Sequence, residues 1–333
     1  MDDATGNRAG SSRRVPSPVV GQQGAARGEW RFYAGDNGST KYSPLDQINA
    51  QNFKTLQVKW SWDSPDDGIL RAKQIKAPRQ PEFKATPLVV NGRMYVSTGL
   101  GQVAALDART GNQLWIYDHQ AYEKGWPANV AGIQSRGVAY WTDGKQARIF
   151  HGTYDGYLRA LTNLRYLRAG TAGPKSAHPD RPPLPGGPRG LPFLKPPYSR
   201  MTAIDLHQGE HVWQIPTGPG SSFIRNHDAL KGIELPPLGG QGRGGPLVTK
   251  TLLIHALSLG PDLEGGPGGA QGQREDARAA LVAYDKATGA RLAEVPLPGA
   301  LLGTPMTYLL DGKQYIAMTV EGSPPKLIAL ALP

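Results

Sequence analysis

Cysteine is absent from the 333 residues, which excludes disulfides, thiolate metal sites and dithiol redox chemistry. Long hydrophobic runs are absent too, and no stretch approaches the roughly 18 apolar residues of a membrane-spanning helix. Residues 1–28 are polar and basic, without the apolar centre of a secretory signal, so the chain reads as soluble and leaderless. Acidic residues are few, 27 against 37 Lys and Arg, giving a formal charge of +10. The basic residues are nevertheless scattered singly, with Arg13-Arg14 the longest run. Without a basic stripe or a recognition helix, nucleic-acid binding is set aside in favour of a solvated surface, and a small polyanionic cofactor suits the balance. What the chain has in quantity is glycine (43) and proline (30), the composition of a turn-dense β protein.

The stretch from Phe83 to Tyr117 shows the unit from which the chain is built. Pro87–Val90 and Met94–Thr98 are β-forming runs on either side of Asn91-Gly92, a strong two-residue hairpin signal. A third run, Val103–Leu106, leads into the turn Asp107-Ala108-Arg109-Thr110-Gly111, and Leu114–Tyr117 is a fourth strand. This predicts a four-stranded antiparallel meander, the size of a propeller blade. In its turn, Asp107 can accept from local amides and Gly111 supplies the positive φ, while Trp115 offers a flat surface to a neighbouring blade.

Further copies follow. Residues 29–162 hold a leading segment with a strand at Leu56–Trp62, a loop over Asp63–Pro81, the blade just described, and a second blade from Ser135 to Leu161. Where that second blade needs its turn motif the sequence runs instead into a Pro/Gly/Arg-rich junction, 163–197, expected to lie outside the sheets. From 198 to 333 the turn recurs at Asp205–Gly209, followed by Trp213, and at Asp285–Gly289, where Ala293 replaces the tryptophan. The last strand, Leu327–Leu330, lacks an outer partner, which a closed propeller takes from its N-terminal segment. The expected fold class is all-β: four-stranded antiparallel blades, with residues 1–28 a disordered basic tail.

Trp30 to Asn49, the blade at 83–117, Arg136–Trp141, Pro196–Trp213, Gly245–Leu253, Tyr284–Gly289, Gly303–Ile316 and Ala329–Pro333 together resemble the quinoprotein dehydrogenases. These are propeller enzymes that use pyrroloquinoline quinone (PQQ), and the glucose or quinate dehydrogenase-like branch is most similar. The resemblance implies oxidation of an alcohol or aldose sugar, PQQ and calcium as cofactors, a quinone or cytochrome electron acceptor, and a periplasmic setting. Family members have eight blades, so the two matching halves look like the beginning and the end of such an enzyme, incomplete between them. The middle normally brings the calcium ligands, an aromatic floor and the catalytic aspartate, which leaves the catalytic and metal residues unassigned. A second reading is a catalytically inactive propeller fragment acting as a binding scaffold.

Within the resemblance, Arg136 matches the arginine that approaches the quinone, where a guanidinium suits a tricarboxylated ring. Lys84 and Thr153 stand at corresponding strand starts and complete the candidate cofactor residues. Relatives often place histidine before that arginine, where this chain has Ser135, and adjacent cysteines where it has Val130-Ala131. Other motifs carry less. Gly240–Gly245 fits GxGxxG, but Pro246 and a strand follow rather than a helix. His207 and His211 flank the turn at Gly209, which argues against zinc. Asp262 and Glu264 lie in a Gly-rich loop and read as solvated.

Overall fold

The computed structural model describes residues 25–77, 81–126, 133, 135–161, 166–169, 189, 191, 195–220, 222–239, 244–258 and 279–333. In chain order the elements are β1 (Tyr42–Ser43), β2 (Gln57–Asp63), α1 (Asp66–Ala72), β3 (Leu88–Val90), β4 (Arg93–Ser97), β5 (Val103–Asp107) and β6 (Gln113–Tyr117). Then come β7 (Ala139–Thr142), β8 (Ala147–Gly152), β9 (Leu158–Leu161), β10 (Tyr166–Ala169), β11 (Arg200–Ile204) and β12 (His211–Pro216). The chain ends with β13 (Leu247–Thr249), β14 (Leu253–Ser258), β15 (Ala279–Tyr284), β16 (Arg291–Leu297), β17 (Met306–Leu310), β18 (Lys313–Val320) and β19 (Lys326–Ala331).

These strands form small meanders in the manner of propeller blades: β3-β4-β5-β6, β7-β8-β9-β10, the pair β11-β12, β13-β14-β15-β16 with β1 added at its inner edge, and β17-β18-β19-β2. The last of these carries the closure expected of a propeller. β2 lies antiparallel to β19, with Trp60 opposite Ala329 and Trp62 opposite Leu327, so the N-terminal segment supplies the missing outer strand. β1 pairs in parallel with β13, Tyr42 opposite Val248. One hydrophobic core runs through four of the sheets, drawing Leu88 and Leu106, Ile149 and Leu161, Leu247 and Leu281, and Ile316 and Ile328 together. The β11-β12 pair packs through Met201 and Ile215 on a separate cluster around Leu257 and Val282.

The repeated turns are built as their sequence dictates. The Asp107 carboxylate accepts from the amides of Arg109 and Thr110, both at 2.9 Å, and the Gly111 amide donates to the Asp107 carbonyl at 2.9 Å. Asp285 repeats this with Ala287 and Thr288, at 2.9 and 2.8 Å. Asp205 does so with His207 at 2.7 Å and Gln208 at 3.3 Å. Where the described residues show what covers a turn, it is an indole from the neighbouring blade. Trp115 packs on Tyr95, ring centroids 6.1 Å apart, and the turn it would meet falls at 162–165, outside the described residues. The indole over Gly111 is Trp60, whose Nε1–H donates to the Ala108 carbonyl at 3.2 Å; Trp213 does the same for the next turn, donating to Lys286 O at 3.0 Å.

Four boundaries move. Residues 25–28 belong to the fold rather than to the tail, for Ala25 is buried and its amide donates to Tyr42 O at 3.2 Å; residues 1–24 lie outside the described ones. The expected loop at Asp63–Pro81 contains α1, held by Asp66, which is buried at the helix start and accepts from the amides of Gly99 (2.8 Å) and Leu100 (3.2 Å). The inner strand expected from Ser135 begins only at Ala139, because Arg136 and Gly137 turn their backbone toward Thr86. Part of the junction is sheet: β10 pairs with β9, Leu167 opposite Ala160, satisfying an edge that would otherwise stand open. No helix among the described residues is long and apolar enough to cross a membrane.

Candidate functional site

At one end of the blades, the starts of the inner strands are tied together by hydrogen bonds. The Thr86 amide donates to the Arg136 carbonyl at 3.1 Å, and Thr86 Oγ1 to the Thr304 carbonyl at 3.2 Å. The Gly245 amide donates to Thr304 Oγ1 at 3.2 Å, and Thr319 Oγ1 to the Ala85 carbonyl at 3.3 Å. Gly137 permits the close approach, since a Cβ there would lie 3.1 Å from the Thr86 carbonyl. The result is a belt of backbone running through four blades, from which side chains reach the face above.

The three expected cofactor residues all sit at this end, in different states. Arg136 is exposed, and its guanidinium makes no hydrogen bond or ion pair with the described residues. Lys84 is mostly buried and ion-paired with Glu82, which is mostly buried as well. Thr153 spends its hydroxyl locally, on the Asp155 carboxylate and on the Tyr157 carbonyl at 3.1 Å. Val130-Ala131, Asp262 and Glu264 lie outside the described residues, and so does most of the Gly240–Gly245 segment. His207 is 99% exposed at its turn and gathers no ligand set.

The structure adds a buried polar group beside Arg136 that the sequence did not reveal. Ser135 Oγ lies 2.8 Å from Ser97 Oγ and 2.9 Å from His151 Nε2, so the imidazole missing before Arg136 reaches that place from β8. His151 is 2% exposed; burial, then the nearby His119 and Arg159, push its pKa down to about 3, and the ring is neutral at pH 7. Burial, followed by Arg159, also lowers His119. The His119 Nδ1 accepts from the Ala121 amide at 3.0 Å, which puts the proton of the neutral ring on Nε2. Cross-strand from His151, Arg159 pairs with Asp155 at 3.3 Å, and Lys124 reaches the same carboxylate at 2.8 Å. Burial works to raise Asp155, but Lys124, Thr153 and Arg159 together overcome it and hold the carboxyl below its ordinary value.

A PQQ-sized anion and a calcium ion meet different receptions here. Arg136 offers a carboxylate a planar fork that no described residue occupies. For calcium, three carboxylates described at this end are already engaged: Glu82 by Lys84, Asp155 by Lys124 and Arg159, and Asp66 by two amides. No group of three or more potential metal ligands occurs among the described residues. The described donors therefore include a cation suited to a carboxylate and no set suited to calcium.

Residues 30–164 and 176–316 match the family described as PQQ: glucose/ethanol/alcohol dehydrogenase, β-propeller domain. The chain is 35% identical over 153 residues to a quinohemoprotein alcohol dehydrogenase of Comamonas testosteroni, covering 46% of this chain and 19% of that one. It is 40% identical over 138 residues to a 1-butanol dehydrogenase (cytochrome c) of Thauera butanivorans, covering 41% and 17%. To the quinohemoprotein alcohol dehydrogenase ADH-IIG of Pseudomonas putida it is 29% identical over 236 residues, covering 67% and 28%. The matched part thus spans less than a third of these relatives. The crystal structure of the Comamonas testosteroni enzyme aligns over 92% of this chain and 81% of that chain, with 17% identity and a TM-score of 0.48. All three relatives are named as alcohol dehydrogenases, which does not support the glucose or quinate branch that the motifs suggested.

Proposed function

The chain belongs to the PQQ-dependent alcohol dehydrogenase β-propeller family, and from that premise we propose that it serves the oxidation of an alcohol, a simple primary alcohol in preference to a sugar. Electrons would pass to a cytochrome or quinone, as the names of a 1-butanol dehydrogenase (cytochrome c) and an alcohol dehydrogenase (quinone) indicate for those relatives, and the family's periplasmic setting is carried over with the reading. The observation that supports it most is Arg136, at the strand-start belt inside the family's own motif, with a guanidinium that no described residue engages.

When bound, the quinone supplies the hydride acceptor. The chain's part is to bind and orient. Arg136 would pair with a ring carboxylate, and the Ser97–Ser135–His151 hydrogen bonds hold the residue before it in place. The neutral His151 adds no charge to that edge, and the Lys84–Glu82 pair adds none in net. No general base or cation cage is formed by the described residues, so charge-assisted contacts such as that of Arg136, worth roughly 1.5 to 3 kcal/mol each, carry the binding. Weak association and little dye-linked turnover are expected of the purified chain.

Titration of PQQ into the full chain, followed by quenching of tryptophan fluorescence, tests this, with 1-butanol and glucose compared in a dye-linked assay. The expected result is weak binding that Arg136→Ala removes, with any turnover favouring 1-butanol. Absence of binding to the unaltered chain would overturn the cofactor reading; binding indifferent to Arg136→Ala would overturn the residue assignment.

A further inference from the structure

Three outer turns share one construction, and the described residues cover two of them. Gly111, Gly209 and Gly289 close the turns begun by Asp107, Asp205 and Asp285, with φ of 74°, 73° and 73°. In two turns an indole from the outer strand of the preceding blade lies flat on the glycine. A Cβ built on Gly111 would be 2.5 Å from Trp60 Cε3, and one on Gly289 would be 2.8 Å from Trp213 Cε3. On Gly209 it would meet none of the described residues within 4 Å. Around that turn, Ile204 (50%), Leu206 (92%) and Val212 (56%) are exposed, whereas Met201 and Ile215 are packed toward Leu257 and Val282.

The chain has no indole left for this place. All seven tryptophans are in described positions, so residues 1–24, the junction and the Gly-rich loop cannot supply one. Trp60 and Trp213 are docked and Trp30 is fully buried. Trp62 donates to Gln113 at 3.2 Å, Trp115 packs on Tyr95, Trp126 packs on the cluster around Leu70 and Leu100, and Trp141, on an inner strand, stacks with Arg148. In β10, the strand that precedes β11 in sequence, register gives Leu167 the place that Trp115 holds in β6: Leu167 lies opposite Ala160 as Trp115 lies opposite Ala105. A second copy of the chain would bring the same seven indoles in the same places.

We propose that the Asp205–Gly209 turn, with the open face of β11 and β12, is a docking surface for the outer strand of a quinoprotein-type blade carried by another polypeptide. That strand lays a tryptophan on Gly209 and donates its Nε1–H to the Leu206 carbonyl, the equivalent of Ala108 and Lys286. Apolar side chains beside the indole cover Ile204, Leu206 and Val212. The inference goes beyond the cofactor reading and holds whether or not PQQ binds.

The test uses the full chain labelled with 15N-glycine, the Gly209 amide being assigned by its loss in Gly209→Ala. The probe is a synthetic peptide with the sequence of residues 208–217, which contains the strand that fills the turn at Gly289, beside the same peptide carrying Trp213→Ala. The tryptophan peptide is expected to move the Gly209 signal while leaving Gly312, a positive-φ glycine with nothing near it, unmoved. The alanine peptide should bind at least about tenfold more weakly, and so should the tryptophan peptide to an Ile204→Glu chain. Equal response to both peptides, or none at millimolar peptide, overturns the proposal. So does movement of Gly289 in place of Gly209, and a Gly209 shift with protein concentration alone would give the face to a second copy.

Discussion

Placing alanine at Gly111 and at Gly209 separates two costs that usually come together. Both residues have φ near 74°, a conformation that costs an L-residue roughly 1–2 kcal/mol. At Gly209 the added methyl meets none of the described residues, and this is the whole penalty. At Gly111 the methyl would stand 2.5 and 2.8 Å from Trp60 Cε3 and Cδ2, where carbon atoms prefer about 3.5–4.0 Å. The indole has little freedom to withdraw, for Trp60 is 7% exposed, donates to Ala108 O and sits in β2 opposite Ala329. Overpacking of that kind adds roughly 1–3 kcal/mol. Gly111→Ala should therefore cost about 2–5 kcal/mol against about 1–2 for Gly209→Ala, read as urea midpoints at unchanged slope. If the clash is the cause, Trp60→Ala removes most of the excess, and a double-mutant cycle shows coupling between 60 and 111. Equal midpoints for the two glycine variants would refute the docking account, as would a cycle with no coupling.

Three other outcomes follow from groups already described. His151 titrates at about 3 when folded and near 6.5 when unfolded, so the unfolded chain takes up a proton that the folded chain refuses; stability falls as pH drops from about 6.5 toward about 3. His151→Asn should flatten that fall over roughly pH 5.5–7, above most carboxylate titration, and an unchanged slope in the urea midpoint would remove His151 from the account. Asp66→Ala strands the Gly99 and Leu100 amides in a buried place at about 1–3 kcal/mol for each unsatisfied group, so helix α1 should lose hydrogen-exchange protection well before the sheets; uniform loss would contradict the local anchoring. Glu82→Gln frees Lys84 at the same end as Arg136, and the affinity for the tricarboxylate PQQ should rise about fivefold, worth about 1 kcal/mol; unchanged binding would show that Lys84 faces away from the ligand.

The difference between what could and could not be read from the residues follows the range of the forces involved. Asp107, Asp205 and Asp285 act within five residues, so their turns were legible from composition and spacing alone. The closing strand was legible in outline, because Leu327–Leu330 lacked an outer partner and a closed propeller takes one from its N-terminal segment. Which tryptophan covers which glycine was not, since Trp60 and Gly111 lie on different blades and local sequence carries no statement of which blades are neighbours. Helix α1 was hidden for the same reason: its residues are polar and proline-flanked, and the stabilising amides come from a loop 33 residues away. At the site, Arg136 was visible through its motif, but His151 lies 16 residues from the serine it touches and carries no signature of its own on a strand. The Lys84–Glu82 pair is the instructive case, because it was open to local reasoning. The Lys84 amide donates to the Glu82 carbonyl at 2.9 Å in a three-residue turn, which brings the two side chains together and neutralises a lysine that the family pattern alone would have counted as free. Charge near a cofactor must therefore be summed over neighbours before a role is given to any one residue, and on that sum Arg136 keeps its guanidinium unengaged by the described residues where Lys84 does not.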